Sequence, residues 1–168
     1  MSEDLINRAK ELLDAIQYIN VASVTPDGLP WNTPVYAKYD HALNFYWASW
    51  VHAQHSVNIR TRRDVFITLY DTTRRRGDNN RRCLYLTGTA SELNDSSLIE
   101  PILGLLYGDE AQTMSVEEYA VTAIKRIYRF SPSAAWLNDL SERQVTGQTV
   151  KMRIEIPLTS LIKSLNEA

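Results

Sequence analysis

The sequence predicts a mostly β protein, a β-barrel with peripheral helices. Runs rich in β-branched and aromatic residues recur over residues 18–25, 30–40, 43–49, 64–72 and 83–93. Short turn signals separate the first three runs, which implies antiparallel pairing. Helical spacing is concentrated near the two ends, in one short stretch after residue 49, and between about 95 and 124. An antiparallel sheet with one buried face and helices at its margins closes naturally as a small barrel.

The first element is a helix. Ser2 is placed to cap it, and Glu3 and Asp4 complement its positive end. Leu5, Ile6, Ala9, Leu12, Leu13 and Ile16 recur at helical spacing and give it one apolar face. "YINVASVT" then reads as a strand. Pro26, Asp27 and Gly28 make a turn, in which Gly28 supplies a positive φ. "PWNTPVYAKYD" is a second strand, and Pro30 and Pro34 assign it to an edge or a bulge. A turn at 40–42 leads into the strand "LNFYWAS". Residues 50–63 predict a short helix with Ser49 as its N-cap. Its barrel side carries Trp50, Ala53 and Val57, and another arc carries His52, Ser56, Ile59 and Arg63 with His55 beside it.

"DVFITLYDT" is nearly all apolar in its middle, so it is a buried strand. The polar loop after it concentrates five arginines within residues 74–82 and reads as a solvated hairpin loop or a rim for anions. "CLYLTGTASEL" is a long fifth strand with Gly88 as a bulge or point of close approach. A helix spans 95–107, capped by Asp95 or Ser96 and stopped at "YGD". Ser115 and Glu118 form a capping-box pattern before a second short helix in "YAVTAIKR". "IYRFSPSAAWLND" resumes extended structure, "TVKMRIEIP" is the last strand, and "LTSLIKSL" makes a closing helical turn. The expected organisation is one domain over 1–168, with a helical insertion at about 95–124.

Composition narrows the function. Hydrophobic residues are 44% of the chain and the formal net charge is −2, so a packed core is expected and general nucleic-acid binding is not. Cys83 is the only cysteine, which rules out an intramolecular disulfide, fits a reducing cytoplasm and reads as packing. The N-terminus lacks the basic start and apolar centre of a signal peptide, and no apolar run reaches membrane-spanning length. The expected protein is cytoplasmic, with no membrane or nucleic-acid partner. No metal site is expected: His52 and His55 have H-x-x-H spacing but no Cys, Asp or Glu donor in their segment.

The segment "FYWASWVHAQHSVNIRTRRDV" mixes aromatic residues with imidazoles, hydroxyls and arginines. Trp31, Trp47 and Trp50 read equally as core, interface or a shelf for a ring. A helix start with Ser49 and nearby imidazoles is suited to a phosphate. A ligand with an aromatic ring at one end and a phosphate at the other accounts for the mixture.

In order along the chain, "DGLPWNTPV", the "YW-S" strand, "HSVNIR", a buried strand and "LTGTA" resemble the flavin-binding split-barrel superfamily related to pyridoxamine 5′-phosphate oxidase. The resemblance covers roughly residues 16–93. It implies a six-stranded antiparallel split barrel of the FMN-binding type, and a homodimer with FMN at the interface. It implies that Asn32, Thr33, Pro34, Val35 and Tyr36 border the isoalloxazine ring, largely through backbone groups. Trp47, Ala48 and Ser49 would line the opposite strand. Gln54, His55 and Ser56 would fall at the phosphate, His55 standing where many relatives carry lysine or arginine, with Arg60 or Arg63 assisting. Asn58 would contact the cofactor or cap the local turn. Trp136 resembles a late tryptophan that reaches the flavin from the partner subunit. Only Arg143 follows it as a candidate for the oxidase's substrate-phosphate motif, so the resemblance implies cofactor and fold more than vitamin B6 oxidation. The expected activity is that of a flavin-dependent oxidoreductase acting on an unknown small molecule. A non-catalytic flavin- or haem-binding protein and an F420-dependent reductase are the alternatives.

Overall fold

A computed structural model describes residues 2–73, 82–120, 122–138, 143–150 and 152–167. The side chains of Ser2, Arg143, Gln144, Thr149 and Val150 lie outside that description, as does the arginine-rich loop up to Arg81. The expected roles of Ser2 as a cap, of Arg143 at a substrate phosphate and of the loop fall on these residues.

Helix α1 spans Ser2–Ala15, and strands β1 (Tyr18–Val24) and β2 (Pro30–Tyr36) follow. They pair antiparallel around a turn in which Gly28 has φ 90°. A short β3 (Lys38–Tyr39) continues β2 beyond a break at Ala37, and β4 (Phe45–Trp50) pairs with it. After helix α2 (Gln54–Thr61) come the long-range strands β5 (Asp64–Tyr70), β6 (Cys83–Glu92) and β7 (Lys125–Asn138). Between β6 and β7 lie a 3-10 turn (Ser96–Leu98), α3 (Ile99–Tyr107) and two further 3-10 turns. The chain ends with a hairpin of β8 (Arg143–Val145) and β9 (Gln148–Val150), then β10 (Arg153–Ile156) and α4 (Leu158–Asn166).

The sheet order is β2-β1-β5-β6-β7-β4-β3, with β10 also on β7. Because β2 and β3 belong to one bent stretch of chain, the path returns to where it began. Residues 30–39 pair with β1 at one end and with β4 at the other, which closes a barrel. Six strands make this ring, and β10 brings the total to seven, one more than expected. Pro30 and Pro34 stand on β2, whose second edge has no partner strand among the described residues, as proline's missing donor requires. Gly88 marks the one register shift between β6 and β7.

Alternation along the strands builds the core. Ile19, Val21, Val35, Phe45, Trp47, Ile67, Leu84, Leu86, Tyr128 and Phe130 point inward, and the apolar face of α1 closes one end with Leu161 of α4. A second cluster lies outside the barrel, where Tyr46 and Ile127 meet Ile99, Leu103, Leu106 and Tyr119. The helical insertion therefore covers the outer face of β4 and β7.

Four local expectations are corrected. Residues 50–53 are the strand end and a turn, so α2 is shorter than expected and Ala53, not Ser49, is its N-cap. Ser49 stays in β4, paired with Arg126. The buried face of α2 is His55, Ser56, Asn58 and Ile59, almost the opposite of the apolar side expected from Trp50 and Val57. The described residues of "YAVTAIKR" form no α-helix: Ser115 caps a 3-10 turn that ends at Tyr119 (Val116–Tyr119), and Lys125 already pairs with Trp50. The expected last strand is divided, and its first part turns back in the β8–β9 hairpin through Thr146 (φ 51°) and Gly147 (φ 76°).

Candidate functional site

The barrel is split where β2 and β4 part. Past the Lys38–Tyr46 pair the two strands separate, each keeping a partner on one side only: β1 for residues 30–36 and β7 for residues 47–50. The slot between them is bordered by backbone donors and acceptors that no strand among the described residues uses, groups that demand a partner or water. Asn32, Thr33, Pro34, Val35 and Tyr36 form one border and Trp47, Ala48 and Ser49 the other. The residues expected to border a ring thus lie on the two edges of one opening. Asn32 and Pro34 are exposed, whereas Val35 and Trp47 face the core.

Helix α2 sits between the barrel strands near this opening. Its N-cap, Ala53, makes no side-chain cap bond, and the first helical bond is Val57 N–H to Ala53 O at 3.0 Å. The amides of Gln54, His55 and Ser56 therefore have no acceptor among the described residues. Free amides at the positive end of a helix favour an anion.

The side chains of α2 are less suited to one. His55 is 5% exposed and meets the Tyr128 ring edge-on at 6.4 Å. Burial lowers its pKa below the ordinary 6.5, so the imidazole is neutral at pH 7. Ser56 is fully buried. Asn58 is also fully buried, accepts from Gln54 Nε2 at 2.8 Å and donates to Ser23 Oγ at 2.9 Å. Arg60 turns to the Val51 carbonyl and lies 3.6 Å from Glu92.

Below α2 is a buried polar cluster that the sequence did not reveal. Arg126, 5% exposed, donates to Ala120 O at 2.7 Å and to Glu92 at 3.3 Å. Tyr128 donates to the same carboxylate at 3.2 Å and stacks on Trp47 at 5.7 Å. Burial pushes the Tyr128 phenol up to about 12. Trp47 Nε1, His55 Nε2, Ser56 Oγ and Arg126 Nε are all buried without a hydrogen-bond partner among the described residues. The only sequence signal for this cluster was charge and hydroxyl within otherwise apolar strands, at "SEL" and "KRIYRF".

Trp136 is not at the slot of its own chain. It stands on the outer face of β7, in register with Tyr85 and Glu155, and lines a 370 Å³ cleft with Phe66, Met152 and Arg153. Two other clefts flank the closed end of the barrel. One, of 530 Å³, lies among α1, β3 and α4; the other, of 460 Å³, joins Tyr36 and Lys38 to the insertion at Leu105–Glu110.

No family model and no curated protein matches the chain. Solved structures do. A protein related to general stress protein 26, of the pyridoxinephosphate oxidase family, from Clostridium acetobutylicum aligns with TM-score 0.61 at 14% identity, covering 92% of this chain and 97% of that one. HutZ, the haem storage protein from Vibrio cholerae, aligns with TM-score 0.64 at 18% identity, covering 79% and 94%. An F420 reductase aligns with TM-score 0.53 at 22% identity, covering 75% and 94%. At these identities the likeness establishes the fold: a split barrel of the pyridoxamine 5′-phosphate oxidase-like type. No helix among the described residues is long and apolar enough to cross a membrane.

Proposed function

We propose that the chain is a homodimeric FMN-binding split barrel that acts as a flavin-dependent oxidoreductase on a small molecule in the cytoplasm, through a single domain. The observation that carries this reading is the slot: two strand edges unpaired among the described residues, beside a helix start whose amides have no acceptor among them. Flat heteroaromatic rings are bound by backbone donors and acceptors along an edge, and phosphates by helix amides. Asn32–Tyr36 would present backbone groups to the ring, and Trp47–Ser49 would bound it on the other side. The amides of Gln54, His55 and Ser56 would hold the phosphate. The neutral His55 ring supports α2 from below instead of supplying charge. Asn58 would hold the helix in place, and Arg60 would contribute only after leaving Glu92. Trp136 would be offered to the partner subunit's slot from the outer face of β7. When bound, FMN would accept and return a hydride; the protein would orient the ring and exclude water.

The test is cofactor binding by purified protein. FMN should bind at micromolar concentration with quenched fluorescence, and nicotinamide-dependent turnover should follow. Full-length protein that copurifies with haem, or binds F420 and not FMN, would replace this reading with one of those two. A stable monomer with full FMN affinity removes the shared interface.

A further inference from the structure

Tyr36 leaves the slot on the outer side of β2 and enters a separate cleft. There its ring stacks on Tyr107 at 6.5 Å with planes 21° apart, and Tyr18 meets it edge-on at 5.8 Å. Its hydroxyl donates to the Leu106 carbonyl at 3.1 Å, fixing the ring against the helical insertion. The Lys38 ammonium lies 5.6 Å from the Tyr36 ring centre. It lines both this 460 Å³ cleft and the 530 Å³ cleft among α1, β3 and α4.

Lys38 has no carboxylate within ion-pair distance among the described residues, although acidic groups are near. Asp40 already accepts from the amides of Ala42 and Asn44, from Asn44 Nδ2 and from Tyr46. Asp14 accepts from Tyr39 at 3.1 Å. Glu110 lines the far rim of the smaller cleft and is exposed. A half-buried cation on a tyrosine shelf is therefore left without a counter-ion. A cation held over an aromatic face, with no ion-pair partner among the described residues, is free to take a carboxylate.

We infer that this cleft binds a small planar aromatic carboxylate, with the ring against Tyr36 and Tyr107 and the carboxylate on Lys38. The volume is within the range of small-molecule sites, and tyrosine rings beside one cation suit a flat ring that carries a carboxylate. Glu110 disfavours a second negative charge on the ligand's far side. That the ligand would lie across β2 from a flavin in the slot rests on the reading above; its capture by Lys38 does not. The helical insertion then has a role beyond covering β4 and β7, because Leu105–Glu110 supply one wall of the site.

The experiment is calorimetric titration of benzoate and its neutral counterpart benzamide into the full-length protein, with and without FMN. Benzoate should bind saturably and at least about tenfold more tightly than benzamide, equal to ~1.4 kcal/mol. Lys38→Met should abolish that preference, and Lys38→Arg should restore most of it, while FMN affinity stays at the wild-type level. Absence of saturable benzoate binding, equal binding of the two probes, or a preference that survives Lys38→Met overturns the inference. A benzoate preference in protein that has no FMN affinity upholds this site and removes the flavin reading; FMN binding without the preference does the reverse.

Discussion

Asn58 Nδ2 donates to Ser23 Oγ at 2.9 Å, and both side chains lie in the interior. This bond ties α2 to β1. It matters because α2 has little apolar surface with which to hold itself: its buried face is His55, Ser56, Asn58 and Ile59. A helix seated by polar contacts keeps its position only while each contact is satisfied. The free amides at its N-terminus are therefore positioned by side chains further along the same helix.

Removing the Asn58 amide leaves the Ser23 hydroxyl buried and Gln54 without its acceptor. Asn58→Ala should cost about 2 kcal/mol, the range for stranding a buried polar group. The Ser23→Ala/Asn58→Ala double variant should lose less than the sum of the singles, because the stranded hydroxyl is gone. Urea unfolding measures both. Additive losses would show that the bond contributes nothing of its own.

Gly88 is required by close approach between strands. A Cβ there would overlap the Ser131 carbonyl oxygen and stand 2.8 Å from both Phe130 Cε2 and Pro132 Cα. Two of these neighbours are backbone atoms of β7, so the strand itself must shift. Gly88→Ala should destabilise by about 3 kcal/mol, at the upper end of overpacking costs. Thermal unfolding should register it, whereas Gly104→Ala, inside α3 with open space around the new methyl, should raise the midpoint slightly through its better helix propensity.

Local pattern made much of this fold legible. Leu5, Ile6, Ala9, Leu12 and Leu13 declare α1 by spacing, "DVFITLY" declares a buried strand, and "PDG" declares its turn. The two borders of the slot were legible because strand order is local at β1–β2 and β3–β4. What escaped depended on distant partners. What Asn58 and His55 pack against is invisible until Ser23 and Tyr128 are placed beside them. The β-branched residues of "YAVTAIKR" weakly oppose a helix, but what takes Lys125 into a strand is pairing with Trp50. Thr146 hides a hairpin, since threonine seldom adopts φ 51°.

Glu92 receives Arg126 at 3.3 Å, Tyr128 at 3.2 Å and, more loosely, Arg60 at 3.6 Å. Arg126 is 5% exposed and Glu92 16%, so the carboxylate is the counter-charge for a cation that water barely reaches. Glu92→Gln should cost about 3 kcal/mol, because a buried guanidinium is left uncompensated. Glu92→Gln combined with Arg126→Met should recover part of that loss. If the double variant is no more stable than Glu92→Gln alone, the pair is not coupled.

His55 gives the protein a defined acid sensitivity. Burial against Tyr128 lowers its folded pKa below the 6.5 of an exposed imidazole. The unfolded chain then binds a proton that the folded chain refuses, so stability rises with pH over this window. The contribution is complete above pH 6.5 and is lost progressively as pH falls from there towards the folded pKa. His55→Gln, which cannot titrate, should flatten the fall in unfolding free energy just below pH 6.5. The same pH range also separates charge from support at the slot. If a protonated His55 held the FMN phosphate, affinity in wild type would rise as pH falls below 6.5. With a neutral, buried ring beneath α2, affinity should instead show no gain on acidification while the chain stays folded. Parallel titrations of unfolding and of FMN fluorescence decide between the two, and affinity that strengthens on acidification would return the phosphate to the imidazole.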